Sequence, residues 1–213
     1  MSRIKLYTYW RSSAAYRVRI ALHLKGVDHE QVPIHLARGE HRGDYRERNP
    51  QGLVPAIEHD GHILIQSLAI INYLERIFPQ PALLPDEPVA RARVSALAQI
   101  VAADMHPLNN LRVLQYLSSD LKVSDEQKQA WYEHWVAEGF SAIEALLQDR
   151  ETGKFCHGNS PTLADVCLIP QIYNARRFEC DLEHYPRIRR VEANCLALEA
   201  FDATRPELQP DAD

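Results

Sequence analysis

The sequence lacks the features that would place the chain in a membrane or on nucleic acid. No stretch approaches the ~20 consecutive apolar residues of a membrane span, and the opening residues lack the apolar core of a signal peptide. Lys and Arg number 24 against 29 Asp and Glu, which gives a net charge of −5. Binding to nucleic acid or to an anionic membrane needs a concentrated basic face. We therefore expect a cytoplasmic protein that binds neither nucleic acid nor a membrane.

Motifs for metals and redox chemistry are also missing. The sequence holds no Cys-X-X-Cys pair and no His-Glu-X-X-His motif, and its 10 histidines are scattered. Protein zinc sites are usually built from such closely spaced ligands, so we expect no metal. The 4 cysteines all fall in the last third of the chain, where we expect buried free thiols: Cys156, Cys167, Cys180 and Cys195.

Strand and helix patterns alternate over residues 1–80. Ser12 and Ser13 open the first helix, Asp60-Gly61 marks the turn of a β-hairpin, and Ser67 caps a later helix. The predicted order of elements is β-α-β-α-β-β-α, which is typical of a thioredoxin-like domain. The strands are placed at 4–9, 29–36, 54–59 and 62–66, and the helices start at 12, 44 and 67.

The second half has a different pattern. Prolines at 79, 81, 85 and 88 oppose a continuous helix and indicate a linker. Helical periodicity follows, with a capping-box pattern at Thr162 and Asp165. The predicted fold class is therefore an α/β domain followed by an all-helical domain at residues 89–213, whose tail after Phe201 we expect to be an extended surface segment. Its helices are placed at 89–118, 125–149, 162–177 and 186–201.

The start of the first helix is the position that carries chemistry in a thioredoxin-like fold. Redox members place Cys-X-X-Cys there, whereas this chain has Ser12-Ser13-Ala14, which excludes that chemistry. Free amides and the helix macrodipole favour an anion at a helix N-terminus. The two hydroxyls are thus either a site for the thiolate of a bound cofactor or, in the case of Ser12, a plain helix cap.

A second feature favours the cofactor site. Pro55 begins a strand beside Val54 and is a candidate for a cis peptide bond, which would turn the Val54 backbone outward to pair with a peptide. Gln66-Ser67 then forms another helix N-terminus, suited to a carboxylate. Two anion sites around one exposed strand edge fit a small, doubly charged thiol peptide.

Four segments together resemble the zeta class of glutathione transferases, and the likeness runs nearly end to end. The segments are Trp10–Arg19, Asn49–Pro55, Gln66–Ile71 and His106–Arg112. The resemblance implies a thioredoxin-like domain followed by a helical domain, a homodimer, and glutathione as cofactor. It implies that Ser12 or Ser13 faces the sulfur and that the remaining contacts to glutathione come from His41, Gln51, Val54, Gln66, Ser67, His106 and Asn110.

The resemblance also implies an activity. Members isomerise maleylacetoacetate to fumarylacetoacetate in the breakdown of tyrosine and phenylalanine, and glutathione transfer is a side activity. The substrate is a small dianionic diketo acid, so the site needs cations. The candidates are Arg11, which would also assist catalysis beside the thiolate, and Arg112, Arg176 and Arg177. Many family members have Cys at the position of Ala14, so the cofactor sulfur is expected to act alone.

Three alternatives stay open at this stage. Maleylpyruvate isomerisation is the nearest, although the apolar Leu111 beside Arg112 favours maleylacetoacetate. Glutathione transfer to small α-halo acids could use the same site. A noncatalytic docking module related to the transferases is the alternative from another class, and such a module has no need of the hydroxyls, the candidate cis proline and the arginines together.

Overall fold

A computed structural model describes residues 3–36 and 38–212 of the chain. The chain divides into two compact units, Met1–Ala82 with Ala197–Asp213, and Leu83–Leu196. The first boundary, between residues 82 and 83, falls inside the proline-rich segment that the sequence indicates as a linker.

The first unit is built on a four-stranded sheet of β1 (Ile4–Thr8), β2 (His29–Pro33), β3 (Ala56–His59) and β4 (His62–Ile65), which lie in the order β2-β1-β3-β4. The first two strands are parallel, and the other two pairs are antiparallel. Leu6 and Ile57 face each other across the centre of the sheet, and both are fully buried. This order of elements confirms the thioredoxin-like domain. Its elements are β1 (Ile4–Thr8), α1 (Ser13–Leu24), β2 (His29–Pro33), α2 (Tyr45–Arg48), β3 (Ala56–His59), β4 (His62–Ile65) and α3 (Ser67–Ile77).

The tail is where sequence and structure differ most. Residues 197–213, which the sequence places in the helical domain, cluster with the first unit, and they include a short helix, α10 (Glu199–Asp202). The expectation of an extended surface segment after Phe201 is wrong, because Thr204, Pro206 and Gln209 are buried and Pro206–Leu208 forms a short 3₁₀ helix. Phe201 and Thr204 are both 0% exposed, and the Phe201 carbonyl accepts a hydrogen bond from the Tyr16 hydroxyl at 3.4 Å.

The second unit is helical, as predicted, but its first long helix is interrupted. A π-helical segment, Ile100–Met105, follows α4, and a new helix begins after Asn110, whose side chain accepts the Arg112 amide at 3.2 Å. A side-chain cap of this kind starts a helix rather than continuing one. The helices are α4 (Pro88–Gln99), α5 (His106–Leu108), α6 (Leu111–Ser119), α7 (Asp125–Leu146), α8 (Leu163–Arg177) and α9 (Pro186–Leu196).

The capping box at the start of α8 is confirmed. The buried Asp165 carboxylate accepts the Thr162 amide and hydroxyl, both at 2.8 Å, and the Cys156 amide at 2.8 Å. All four cysteines are free thiols, three of them buried and Cys180 half-buried. Over residues 3–36 and 38–212, no helix is long and apolar enough to cross a bilayer, and no group of three or more His, Cys, Asp or Glu could hold a metal ion.

Candidate functional site

Ser12 occupies the N-cap position of α1. Its backbone is extended, and its hydroxyl oxygen accepts the Ala15 amide at 3.2 Å. The oxygen is thus engaged, while the hydroxyl proton donates to no acceptor within residues 3–36 and 38–212. No acidic side chain lies in the first turn of α1. The helix therefore presents a hydroxyl donor and its positive end to one place, and Ser13 follows as a buried residue of the first turn.

The turn before Ser12 is held by a buried arginine that the sequence analysis left without a role. The Ser12 amide donates to the Tyr9 carbonyl at 2.9 Å and closes the turn. Arg19 is 0% exposed and donates to the Trp10 carbonyl at 2.9 Å and to the Thr8 hydroxyl at 3.1 Å. Two arginines, Arg17 and Arg19, in a helical segment that is otherwise apolar or aromatic from residue 14 to residue 22 were the available signal, because a buried charged side chain has to be hydrogen-bonded.

Arg11 lies on the aromatic side chains of the same turn. Its guanidinium is 4.4 Å from the centroid of the Trp10 ring, and one of its nitrogens is 3.4 Å from the Tyr9 hydroxyl. Stacking on an aromatic face orients a guanidinium and leaves its edge available for an anion. Trp10 and Tyr9 thus orient the guanidinium of Arg11, the residue that precedes Ser12 in the sequence.

The N-terminus of α3 differs from the prediction. Gln66 is the N-cap, with φ 70°, and makes no capping bond, while Ser67 is the first helical residue. The predicted role of Ser67 as a cap is therefore wrong. Its hydroxyl oxygen accepts instead from Arg17 at 3.3 Å, and the arginine is only 2% exposed. Among the hydrogen bonds of the described residues, none takes up the amides of residues 67–69. This helix end is suited to a carboxylate.

The loop that leads to β3 is held by its own polar groups. The Asn49 side chain donates to the Leu53 carbonyl at 2.6 Å and accepts the Gln51 amide at 3.1 Å. Gly52 has φ +63°, and an added Cβ would lie 2.7 Å from the His41 carbonyl oxygen, so only glycine fits there. The loop delivers Gln51 to Gln66, whose amide nitrogen donates to the Gln51 side-chain oxygen at 2.7 Å.

Val54 and His41 present unpaired polar groups in the same unit. The Val54-Pro55 peptide bond is cis, as the sequence predicts. Within the described part of the chain, neither the amide nor the carbonyl of Val54 takes part in a hydrogen bond. The buried Nδ1 of His41 has no partner in the same residues. Burial, with Arg42 and Arg46 nearby, lowers the pKa of His41, so its ring is neutral at pH 7.

His106, Asn110 and Arg112 belong to the helical unit. The Asn110 side-chain nitrogen is 3.4 Å from His106 Nε2. Arg112 lies on the exposed face of α6, beyond the break in the helix, rather than in the single helix that the sequence predicts at 89–118.

The two arginines at the end of α8 differ in their partners. Arg176 makes a two-pronged ion pair with Glu192, at 2.9 and 2.5 Å. Arg177 lies over the Phe178 ring at 5.0 Å, and no carboxylate pairs with it in the described part of the chain. Phe178 stacks in turn on Tyr132 with ring centroids 3.9 Å apart. Of these two arginines, Arg177 is therefore the one whose guanidinium is available for an anionic ligand.

The fold and these polar groups define a glutathione-transferase type of protein, and the comparisons agree. Residues 6–82 match the family "Glutathione S-transferase, N-terminal domain" and residues 129–193 match "Glutathione S-transferase, C-terminal domain". The chain belongs to the glutathione S-transferase family.

Within the family the chain is similar to zeta-class isomerases, which confirms the resemblance noted in its sequence. It is 48% identical to the probable maleylacetoacetate isomerase of Vibrio cholerae over 100% of both chains. A holo structure of a zeta-class maleylpyruvate isomerase matches with a TM-score of 0.96 at 48% identity, covering 98% of this chain and 100% of that one. The maleylacetoacetate isomerase of Anaeromyxobacter dehalogenans, solved with glutathione bound, matches with a TM-score of 0.90 at 45% identity, covering 99% and 98%.

Proposed function

We propose that this protein is an enzyme that isomerises maleylacetoacetate to fumarylacetoacetate with glutathione as cofactor, a step in the breakdown of tyrosine and phenylalanine. One observation carries the proposal. The first unit contains two helix N-termini at each of which a serine hydroxyl oxygen accepts a hydrogen bond from the protein, while its proton has no acceptor among residues 3–36 and 38–212. Neither first turn contains an acidic side chain, so both helix ends favour an anion.

The polar groups of the first unit support a proposed contact for each part of glutathione. The amides at the start of α3, with Ser67 and Gln66, suit the carboxylate of the γ-glutamyl end. The unpaired amide and carbonyl of Val54 suit the backbone of a peptide, as in strand addition. His41, with a neutral ring and an unpartnered Nδ1, and Gln51 suit the remaining polar groups. Ser12 suits the sulfur.

The chain's own residues then stabilise and orient the charges. When bound, glutathione supplies a thiolate that adds reversibly to the cis double bond of the substrate, so that the trans isomer is released. The Ser12 hydroxyl and the N-terminus of α1 favour the ionised form of the thiol, whose free pKa is about 8.5. Arg11 beside Ser12 adds a positive charge that stabilises negative charge developing on the substrate.

Arg177 is the strongest candidate in the helical unit for a substrate carboxylate. Phe178 orients its guanidinium, and no carboxylate of the described residues pairs with the N–H groups of that guanidinium. Arg176, in contrast, is already paired with Glu192. A planar guanidinium binds a carboxylate with two parallel hydrogen bonds. Arg112 is exposed on α6 and remains a second candidate, while His106 and Asn110 pair with each other in the same unit and are proposed as further cofactor contacts.

Maleylpyruvate is the second candidate substrate, and the likeness to a maleylpyruvate isomerase structure at 48% identity favours testing it.

We also propose that the enzyme is a homodimer in the cytoplasm, in which the first domain of one subunit faces the helical domain of the other. The four free thiols support a reducing compartment. Sedimentation analysis of the purified protein tests the dimer.

The decisive experiment supplies both substrates to the purified protein, each with and without glutathione, and follows formation of the trans isomers. We expect turnover only with glutathione, and faster turnover of maleylacetoacetate. Turnover without glutathione would contradict the mechanism, and a preference for maleylpyruvate would reverse the assignment of the substrate. A folded protein that does not bind immobilised glutathione and isomerises neither compound would be a docking module. α-Halo acids serve as a third substrate class in the same assay.

A further inference from the structure

The tail segment, residues 197–212, touches the turn that carries Ser12. The Asp211 carboxylate accepts the backbone amide of Trp10 at 3.0 Å, across 201 positions of sequence. Ala212 packs against the buried cluster that contains Tyr9, Trp10 and Val54. The tail thus reaches the residues that precede the first helix and packs against the buried cluster to which Val54, one of the proposed glutathione contacts, also belongs.

The same turn is held from the other side by α1. Arg19 donates to the Trp10 carbonyl at 2.9 Å and to the Tyr9 carbonyl at 3.4 Å. Its Nε donates to the Thr204 carbonyl in the tail segment at 3.4 Å. Both backbone polar groups of Trp10 are therefore fixed by charged side chains, the amide by Asp211 and the carbonyl by Arg19.

This arrangement links the tail to the hydroxyl of Ser12. The turn is closed by the bond from the Ser12 amide to the Tyr9 carbonyl, so a shift of the Trp10 peptide moves the start of α1. A hydrogen bond weakens steeply when its angle departs from linear. The proton of Ser12 and the first amides of α1 stabilise a thiolate only while they converge on the sulfur.

We propose that Asp211 is a positioning residue for the thiolate site, which holds the Trp10 amide and thereby sets where the Ser12 hydroxyl meets the sulfur of glutathione. The inference rests on the proposed function. It assigns a role in cofactor activation to a residue that lies outside both matched family domains, at 6–82 and 129–193.

The test measures ionisation of the bound thiol rather than turnover. The ultraviolet absorbance of the thiolate is followed against pH for glutathione bound to the wild type and to Asp211→Ala, Asp211→Asn and Glu207→Gln. Glu207 is an exposed acidic residue of the same tail segment and serves as the matched control. We expect Asp211→Ala to raise the pKa of the bound thiol by about half a unit or more, which lowers the thiolate-to-thiol ratio at any given pH by roughly threefold. Asp211→Asn should show a smaller rise because its amide oxygen still accepts the Trp10 amide.

Other outcomes separate the possible failures. An equal fall of the thiol pKa in both Asp211 variants would mean that the carboxylate acts only through its charge, and would overturn the inference. A lower melting temperature with an unchanged thiol pKa would make Asp211 structural and also overturn it. Because Asp211→Asn keeps the shape of the side chain, it remains informative if Asp211→Ala does not fold. A wild type that binds no glutathione thiolate would overturn the proposed function itself, independently of the variants.

Discussion

The hydroxyl oxygen of Ser67 lies 3.3 Å from a guanidinium nitrogen of Arg17, and both residues are buried in the first unit. The arginine donates this hydrogen bond, and no acceptor for the serine proton lies within the described part of the chain. Ser12 repeats the arrangement with the Ala15 amide as donor. The two proposed anion sites of the unit therefore share one arrangement, in which a protein N–H donates to the hydroxyl oxygen and the hydroxyl proton has no acceptor among the described residues.

Replacing Ser67 tests the proposed carboxylate site. Ser67→Ala removes one donor and should weaken glutathione binding about fivefold, since a hydrogen bond contributes about 1 kcal/mol net. Arg17→Met removes the charge behind the hydroxyl and should weaken binding further. Calorimetric titration measures both, with melting curves as the check on folding. Ser141→Ala, at an exposed position of α7, is the control, and a Ser67→Ala protein with wild-type affinity would show that the carboxylate binds elsewhere.

Substitutions at Ser12 separate its capping role from its role towards the thiolate. Ser12→Ala should cost about 1 kcal/mol of stability through loss of the cap and should also reduce turnover strongly. Ser12→Asp can still accept the Ala15 amide, so stability is kept while its negative charge disfavours a thiolate. Ser13→Ala should have the smaller effect on turnover. Thermal unfolding and isomerase rates are compared for the three proteins, and equally mild losses of rate in Ser12→Ala and Ser13→Ala would make both serines structural.

The neighbouring arginines of α8 form a matched pair for substrate binding. Arg177→Ala should raise the KM of maleylacetoacetate about tenfold and leave glutathione affinity nearly unchanged, because it removes a charge-assisted bond to the substrate. Arg176→Ala should change KM less than about twofold, since Arg176 is paired with Glu192 and exposed ion pairs contribute little. Steady-state kinetics in which maleylacetoacetate and glutathione are varied in turn distinguishes the two variants. A larger rise in the KM of maleylacetoacetate for Arg176→Ala than for Arg177→Ala would assign substrate binding to Arg176.

Stability should fall when the pH drops below neutral, and His29 should account for part of the fall. Burial lowers the pKa of His29, opposed by its hydrogen bond to the Val27 carbonyl, while His23, Arg19 and Arg3 lower it further. A folded state with a lowered histidine pKa binds fewer protons than the unfolded state, so stability is present above the unfolded pKa of about 6.5 and is lost as the pH falls below it.

Chemical unfolding at several pH values between about 7.5 and about 5.5 checks this expectation. His29→Gln should flatten the dependence, whereas His62→Gln, at an exposed position, should not. A pH dependence that is identical in the wild type and His29→Gln would show that other groups are responsible.

The order of elements was predictable because it depends on local rules. Strand alternation, the hairpin turn, the prolines after α3 and the capping box of α8 all act within a few residues, and the structure retains each of them. The break near Asn110 was harder to see, since periodicity continues through it and only the side-chain cap reveals a new helix.

The serines, Val54-Pro55 and Gln66-Ser67 were identified from sequence as candidate glutathione contacts because hydroxyls at helix N-termini and a proline at a strand start have characteristic local chemistry. Their supports were not identified. Arg17, Arg19 and Asp211 act through partners 50, 9 and 201 positions away. Arginines in a mainly apolar helix indicate that they are buried, but no local pattern identifies their partners.

The sequence by itself determined the two kinds of domain, the absence of a redox cysteine at the first helix and the residues that offer hydroxyls and cations. The tertiary structure decided which of these groups are available. Glu192 pairs with Arg176 and not with Arg177, Arg17 donates a hydrogen bond to the Ser67 hydroxyl, and the Asp211 carboxylate in the tail accepts the Trp10 amide. The physical reason is that hydrogen bonding between distant segments, rather than residue type, determines which polar atoms remain for a ligand.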